Sequence, residues 1–149
     1  MSLKKQIVEQ YHLFTQDKID VFRDMIADLT LDAQNDAKGS AGDKHETALS
    51  MMHLEQEKLN YKLKEIYNQK AILDKIDPHA VHATITLGSL VRANNMLLFV
   101  AAALPKITIA DQTIIAVSPQ SPLGSKLMGN TVGFSFQIHN TNYTIEHIE

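Results

Sequence analysis

The chain has 149 residues, 44% of them hydrophobic, and a formal net charge of -3. That length fits one ordinary domain or two small ones, and the composition is that of a folded protein. With no cysteine, disulfide staples, thiolate zinc sites and cysteine nucleophiles are excluded. Net acidity argues against nucleic-acid binding through a broadly basic surface.

Charge is unevenly distributed. Residues 1–78 hold 11 Lys and Arg against 14 Asp and Glu, whereas residues 79–149 hold 3 of each. The N-terminal MSLKKQIVEQ shows no signal-peptide pattern, and the longest apolar run, Met96 to Leu104, is too short to span a bilayer. A cytoplasmic protein without membrane or independent DNA binding is therefore expected.

The first segment carries an apolar stripe at helical spacing in Ile7, Tyr11, Phe14, Val21 and Met25, widened by Val8, Phe22, Ile26 and Leu29. The extra width predicts that its early part also packs against another element. Next comes NDAKGSAGDKHE, Asn35 to Glu46, where glycine and serine break the pattern. In the second segment His45, Leu49, Met52, Gln56, Leu59, Leu63, Ile66, Lys70 and Leu73 step by alternating four and three, a heptad seam with polar interruptions. Two such helices joined by a short turn should pair antiparallel. At ~30 residues each they would be ~45 Å long, enough to project beyond a small domain.

Character changes at Asp77-Pro78. Three of the four prolines and four of the six glycines lie after Pro78. Strands are expected at Thr84 to Leu87, Met96 to Ala101, Thr113 to Val117, Gly133 to Ile138 and Tyr143 to Ile148. The last two flank HNTN, a hairpin turn. Prolines exclude Ser118 to Asn130 from a central strand and leave a loop, a short helical turn at Ser125 to Met128, and a stop at Gly129. The expected fold class is α+β: a helical hairpin over 1–78 with its tip near 35–46, then a small antiparallel sheet with a short helix over 79–149.

Several residues could carry chemistry. Asp43 and Glu46 lie three apart where the second helix begins, and Asp28, Asp32 and Asp36 approach the same tip. Carboxylates at the end of an arm could complete a magnesium site supplied by a partner, since Mg²⁺ takes one or two protein carboxylates plus water and phosphate oxygens. The same Asp43-x-x-Glu46 is also a capping box favoured by the helix dipole. His79-x-x-His82 offers two zinc-type ligands, but that spacing is common in linkers. His45 and His53 read as seam-edge and surface residues, and the six methionines as adaptable packing. Lys58, Lys62 and Lys64 sit among alternating charges that mark a solvated face.

The stretch SPQSPLGSKLMGNTVGFSFQI resembles the C-terminal signature of the Gre transcript-cleavage factors (GreA/GreB type), S-P-[LI]-[GA]-x-A-L-[LI]-G-x-x-x-G-D. Ser121, Pro122, Leu123, Gly124, Leu127, Gly129 and Gly133 fit it. The family's acidic tip motif begins G-D-L-K-E; here GDKHE puts Gly42, Asp43 and Glu46 on the glycine and the acidic pair. The resemblance implies an FKBP-like C-terminal domain that docks on RNA polymerase at its secondary channel, with Ser121, Pro122, Leu123 and Gly124 in the docking loop. It implies that Asp43 and Glu46 help hold a second Mg²⁺ in the polymerase active site and so stimulate cleavage of backtracked RNA, near the nascent transcript. The chain would then be no independent enzyme and would bind no metal or cofactor of its own. Two departures stand out. Thr47-Ala48-Leu49-Ser50 replaces the family's Asn-Ala-Glu-Tyr, and Phe134 replaces the Asp after the last signature glycine. Related hairpin factors bind the same pore and inhibit the polymerase. The alternatives are such an inhibitor or a non-catalytic coiled-coil adaptor. An FKBP-like fold also suggests prolyl isomerisation, but this half has only Phe99, Phe134, Phe136 and Tyr143 with which to line a pocket.

Overall fold

The computed structural model describes residues 2–39 and 43–149, and within them the side chains of all but residues 33, 36–39 and 43–46. In chain order the elements are α1 (Leu3–Gly39), α2 (Asp43–Asp74), β1 (Leu90–Ala93), β2 (Met96–Val100), β3 (Ile107–Ile109), β4 (Gln112–Val117), α3 (Pro122–Leu127), β5 (Ser135–Ile138) and β6 (Thr141–Ile148). The fold class is α+β, a long helical hairpin followed by a mostly antiparallel sheet and a short helix. The chain forms two compact units: Leu13–Asn68, and Met1–His12 with Gln69–Glu149. Both helices contribute to both units.

In the unit Leu13–Asn68, neither helix contains proline or an internal glycine before Gly39, so the backbone ladder runs without a break. The expected seam on α2 is present: Leu49, Met52, Gln56, Leu59, Leu63 and Ile66 are buried or half-buried, while most of their neighbours are exposed. On α1 the phase differs from that expected. Thr15, Ile19, Phe22, Ile26 and Leu29 carry the four-three repeat, joined by Phe14, whereas Val21 and Met25 are 46% and 47% exposed. Side chains advance about 100° per residue around a helix, so an apolar residue one position before a seam residue falls on its flank. The polar interruption in the seam is paired, because Gln56 Nε2 donates to Thr30 Oγ1 at 2.9 Å and Thr30 Oγ1 to the Ile26 carbonyl at 2.9 Å. Burying Ile19 and Leu59 contributes ~2 kcal/mol each, against ~1 kcal/mol for an exposed hydrogen bond, so apolar packing holds the pair together.

In the other unit the strand order is β3-β4-β2-β1-β6-β5. Every pairing is antiparallel except β2 with β4, which is parallel and aligns Leu97 with Ile114. The expected antiparallel sheet is present apart from this pair, and β3, which lies between β2 and β4 in sequence, provides the return path that a parallel pair requires. The expected strand at Thr84 to Leu87 is not formed. There Ile85 alone bridges to Asn130 and Gly129, and Gly88, at φ +89, turns the chain into β1. The short β1 and β3 escape sequence reading. Their tight turns are built on Asn94-Asn95 and Ala110-Asp111, all four at positive φ, and His139-Asn140 does the same between β5 and β6, as HNTN predicts.

One sheet face holds the core of Val91, Ala93, Leu98, Val100, Val117, Ile145 and Ile148, closed by Leu127 of α3 and by Ile85. The other face carries Leu90, Leu97, Phe99 and Ile114, all buried. Tyr11 of α1 stacks on Phe99 with ring centroids 6.2 Å apart, and its hydroxyl donates to the Pro105 carbonyl at 2.7 Å. Lys4, also buried, donates to the carbonyls of Ala80 at 2.7 Å and Glu149 at 3.2 Å. Burial lowers its pKa, opposed by the charges of Glu149 and Asp77. The early part of α1 therefore packs on the sheet, as the width of its stripe predicts.

Burial pushes the Tyr11 phenol up to about 12, above the ~10 of an exposed tyrosine. The folded chain keeps this proton where the unfolded chain loses it, so the stabilisation is intact below pH ~10 and is lost as pH rises towards ~12. Below pH ~10, Tyr11→Phe should cost ~1 kcal/mol in urea unfolding through the lost bond to Pro105. Between pH ~10 and ~12 the gap between variant and wild type should close. A gap that stays constant to pH ~12 would show that the phenol is not desolvated.

Candidate docking loop and hairpin tip

After β4 the chain turns at Ser118 and enters α3 through Ser121. Ser121 sits at φ -68, ψ 161, and its Oγ accepts from the Gly124 amide at 3.0 Å while donating to the Ser118 carbonyl at 2.8 Å. The Ser121 amide donates to the Ser118 carbonyl and to its Oγ, both at 3.1 Å. Serine is thus the N-cap and Pro122 the first helical residue, where its missing N–H costs nothing. Gly124 is required by space: a Cβ there would lie 1.8 Å from the Ser118 carbonyl oxygen. Leu123 and Met128 pack against the core, Leu127 is fully buried, and Gly129 ends the helix at φ +77 with its amide donating to Ile85 at 2.8 Å. The helical turn therefore begins at Pro122, ahead of the expected Ser125.

Of the four docking-loop residues, then, Ser121 and Gly124 are engaged within the loop, Leu123 is half-buried, and Pro122 is exposed. Exposed Gln120, Ser125 and Lys126 surround Pro122 in sequence and make up the rest of the exposed surface of this segment. Sequence reasoning passed over these three because they are ordinary polar surface residues.

At the other candidate, Asp43 and Glu46 lie in the first turn of α2, as their spacing predicts, but their side chains are outside the described residues, as is Gly42. Asp28 and Asp32 are exposed on α1, and the Asp36 side chain is also outside the described residues. The histidine pair is divided between two tasks. His82 Nδ1 lies 3.0 Å from the Oγ of buried Ser89, which also accepts from the Thr86 amide at 3.0 Å. His79 is exposed and takes part in an Asp77 turn through its backbone amide. Among the described residues no three His, Asp or Glu side chains converge as metal ligands. No described helix is long and apolar enough to cross a membrane.

The sheet also holds a cleft of about 420 Å³ between the turns into β2 and β4, lined by Arg92, Asn95, Asp111, Gln112 and Thr113 among others. Only the fold brings these residues together. Phe134, at the departure from the signature, is 41% exposed and stacks with Phe136, which in turn stacks on Tyr143.

No family model matches the chain, and no curated protein matches it significantly. Among solved structures the chain is similar to the transcription factor Gfh1 at 17% identity over 92% of each chain, with a TM-score of 0.36.

The loop geometry can be tested directly. Ser121→Ala should cost ~1 kcal/mol through loss of the cap. Gly124→Ala should cost more, ~2 kcal/mol, because the Ser118 carbonyl must move. Chemical denaturation measures both, and a Gly124→Ala variant as stable as wild type would refute the close approach.

Proposed function

We propose that this chain is a Gre-type factor that binds RNA polymerase at its secondary channel and modulates elongation. The observation that carries the reading is the SPLG signature, which follows an acid-tipped helical hairpin in the order the Gre family uses. The loop geometry supports it. A serine cap, a first-turn proline and a glycine with no room for Cβ give each residue of the signature a physical reason to be there. In this reading Pro122 and its exposed neighbours contact the polymerase. The hairpin enters the channel, and Asp43 and Glu46 assist a magnesium ion held by the polymerase, orienting water for phosphodiester cleavage. The chain contributes no substrate site and is no independent enzyme.

A second reading, pore binding without cleavage, is favoured by Thr47-Ala48-Leu49-Ser50, where the family's Glu and Tyr are missing beside the acidic pair. A stalled, backtracked elongation complex separates the two. Cleavage should accelerate with wild type and fall to the unassisted rate with Asp43→Asn and Glu46→Gln combined, while binding to polymerase persists. Wild type that binds and slows the polymerase without cleavage selects the inhibitory reading. Failure to bind core polymerase at all overturns both.

A further inference from the structure

Val21 and Met25 have the spacing of packed residues but lie outside the seam, exposed on α1. With Asp17, Asp24 and Asp28 they form a single stripe at positions 17, 21, 24, 25 and 28, with an acidic or apolar side chain on every turn. All three aspartates are exposed, and none is ion-paired among the described residues. Beside the stripe a shallow groove of about 250 Å³ runs between the helices, lined by Met25, Asp28, Leu29, Glu55 and Leu59. Its floor is aliphatic and its rim carries carboxylates from both helices.

From this geometry we infer that this face of the hairpin is a docking surface for a basic amphipathic helix of another protein. Exposed apolar residues one turn apart beside a groove meet the requirements of helix-in-groove binding, in which anchors at i and i+4 enter the depression. The charge selects the occupant. A rim of aspartate and glutamate repels nucleic acid and anionic lipid, and it repels a second copy of the same stripe. A segment bearing Lys or Arg beside its apolar anchors satisfies both rim and floor. This inference is independent of the polymerase reading and concerns a different surface from the Ser121–Gly124 loop.

The test uses the full chain and a fluorescent designed helical peptide with leucines at i, i+4, i+7 and lysines flanking them, monitored by anisotropy. Saturable one-to-one binding is expected, weakening about tenfold or more on Asp24→Asn with Asp28→Asn, and likewise on Val21→Ser with Met25→Ser. Leu54→Ser with Tyr61→Ser, which removes exposed apolar residues elsewhere on α2, should leave binding unchanged. Circular dichroism of each variant keeps loss of fold distinct from loss of docking. The same peptide with glutamate for lysine, single-stranded RNA and phosphatidylserine vesicles should not bind. The proposal is overturned if the peptide fails to bind, if all variants bind alike, or if RNA or vesicles compete. Wild-type self-association abolished by Val21→Ser with Met25→Ser would assign the face to a second copy instead, and would equally overturn it.

Discussion

Strand β2 is apolar on both faces of the sheet, and each face needs its own cover. Leu98 and Val100 point into the core closed by α3, whereas Leu97 and Phe99 point the other way. A strand buried on both sides reads as a continuous hydrophobic run, as Met96 to Leu104 does. The second cover is supplied by the ends of the long helices. Tyr11 lies on Phe99 and reaches Pro105, Gln69 Nε2 donates to the Ala103 carbonyl at 3.2 Å, and Ile7 and Leu73 are fully buried. The sheet could not keep this face dry without residues from α1 and α2. The compact unit is therefore discontinuous in sequence, joining residues 1–12 to residues 69–149.

This sharing explains what the sequence made legible. A heptad repeat depends only on local spacing, so the α2 seam could be read residue by residue from Leu49 to Leu73. On α1 the same reading slipped by one position, because Val21 and Met25 are as apolar as Phe22 and Ile26 and periodicity alone does not rank them. Ile19 and Thr15, which complete the repeat, were passed over. Pairing with a partner helix decides the phase, and that information is not local. The strands divide in the same way. The β5–β6 hairpin announced itself through HNTN, but β1 and β3 are four and three residues long and turn on Asn94-Asn95 and Ala110-Asp111. An alanine at positive φ carries no sequence signal at all. The parallel pairing of β2 with β4 depends on where β3 returns, which no windowed pattern records.

The candidate sites differ in the same respect. SPLG could be found from sequence because its residues are fixed by local chemistry. The cap, the first-turn proline and the missing Cβ all act within seven residues, Ser118 to Gly124. That locality also limits what the motif says, since Ser121 is engaged within the loop, Leu123 is partly covered, Gly124 has no side chain, and Pro122 alone is exposed. The rest of the exposed surface here comes from Gln120, Ser125 and Lys126, of which only Ser125 has a side-chain bond within the loop, to the Pro122 carbonyl at 3.0 Å.

The hairpin illustrates a further constraint, set by charge. Aspartates at 20, 24, 28 and 32 repeat every four residues along α1, and like charges at this spacing oppose helix formation by a few tenths of a kcal/mol per pair. Lys18 lies 5.9 Å from the centroid of the Phe14 ring, and no described salt bridge involves Arg23. On α2, by contrast, residues 55–65 balance Glu55, Glu57 and Glu65 against Lys58, Lys62 and Lys64. A helix pair selected only for stability would distribute charge on both helices as α2 does. Seam packing tolerates the repulsion on α1, because burial of Ile19 alone outweighs several such pairs. The acidic repeat is therefore carried at a small cost to the hairpin, and Val21 and Met25, unlike Phe22, Ile26 and Leu29, lie outside the seam that offsets it.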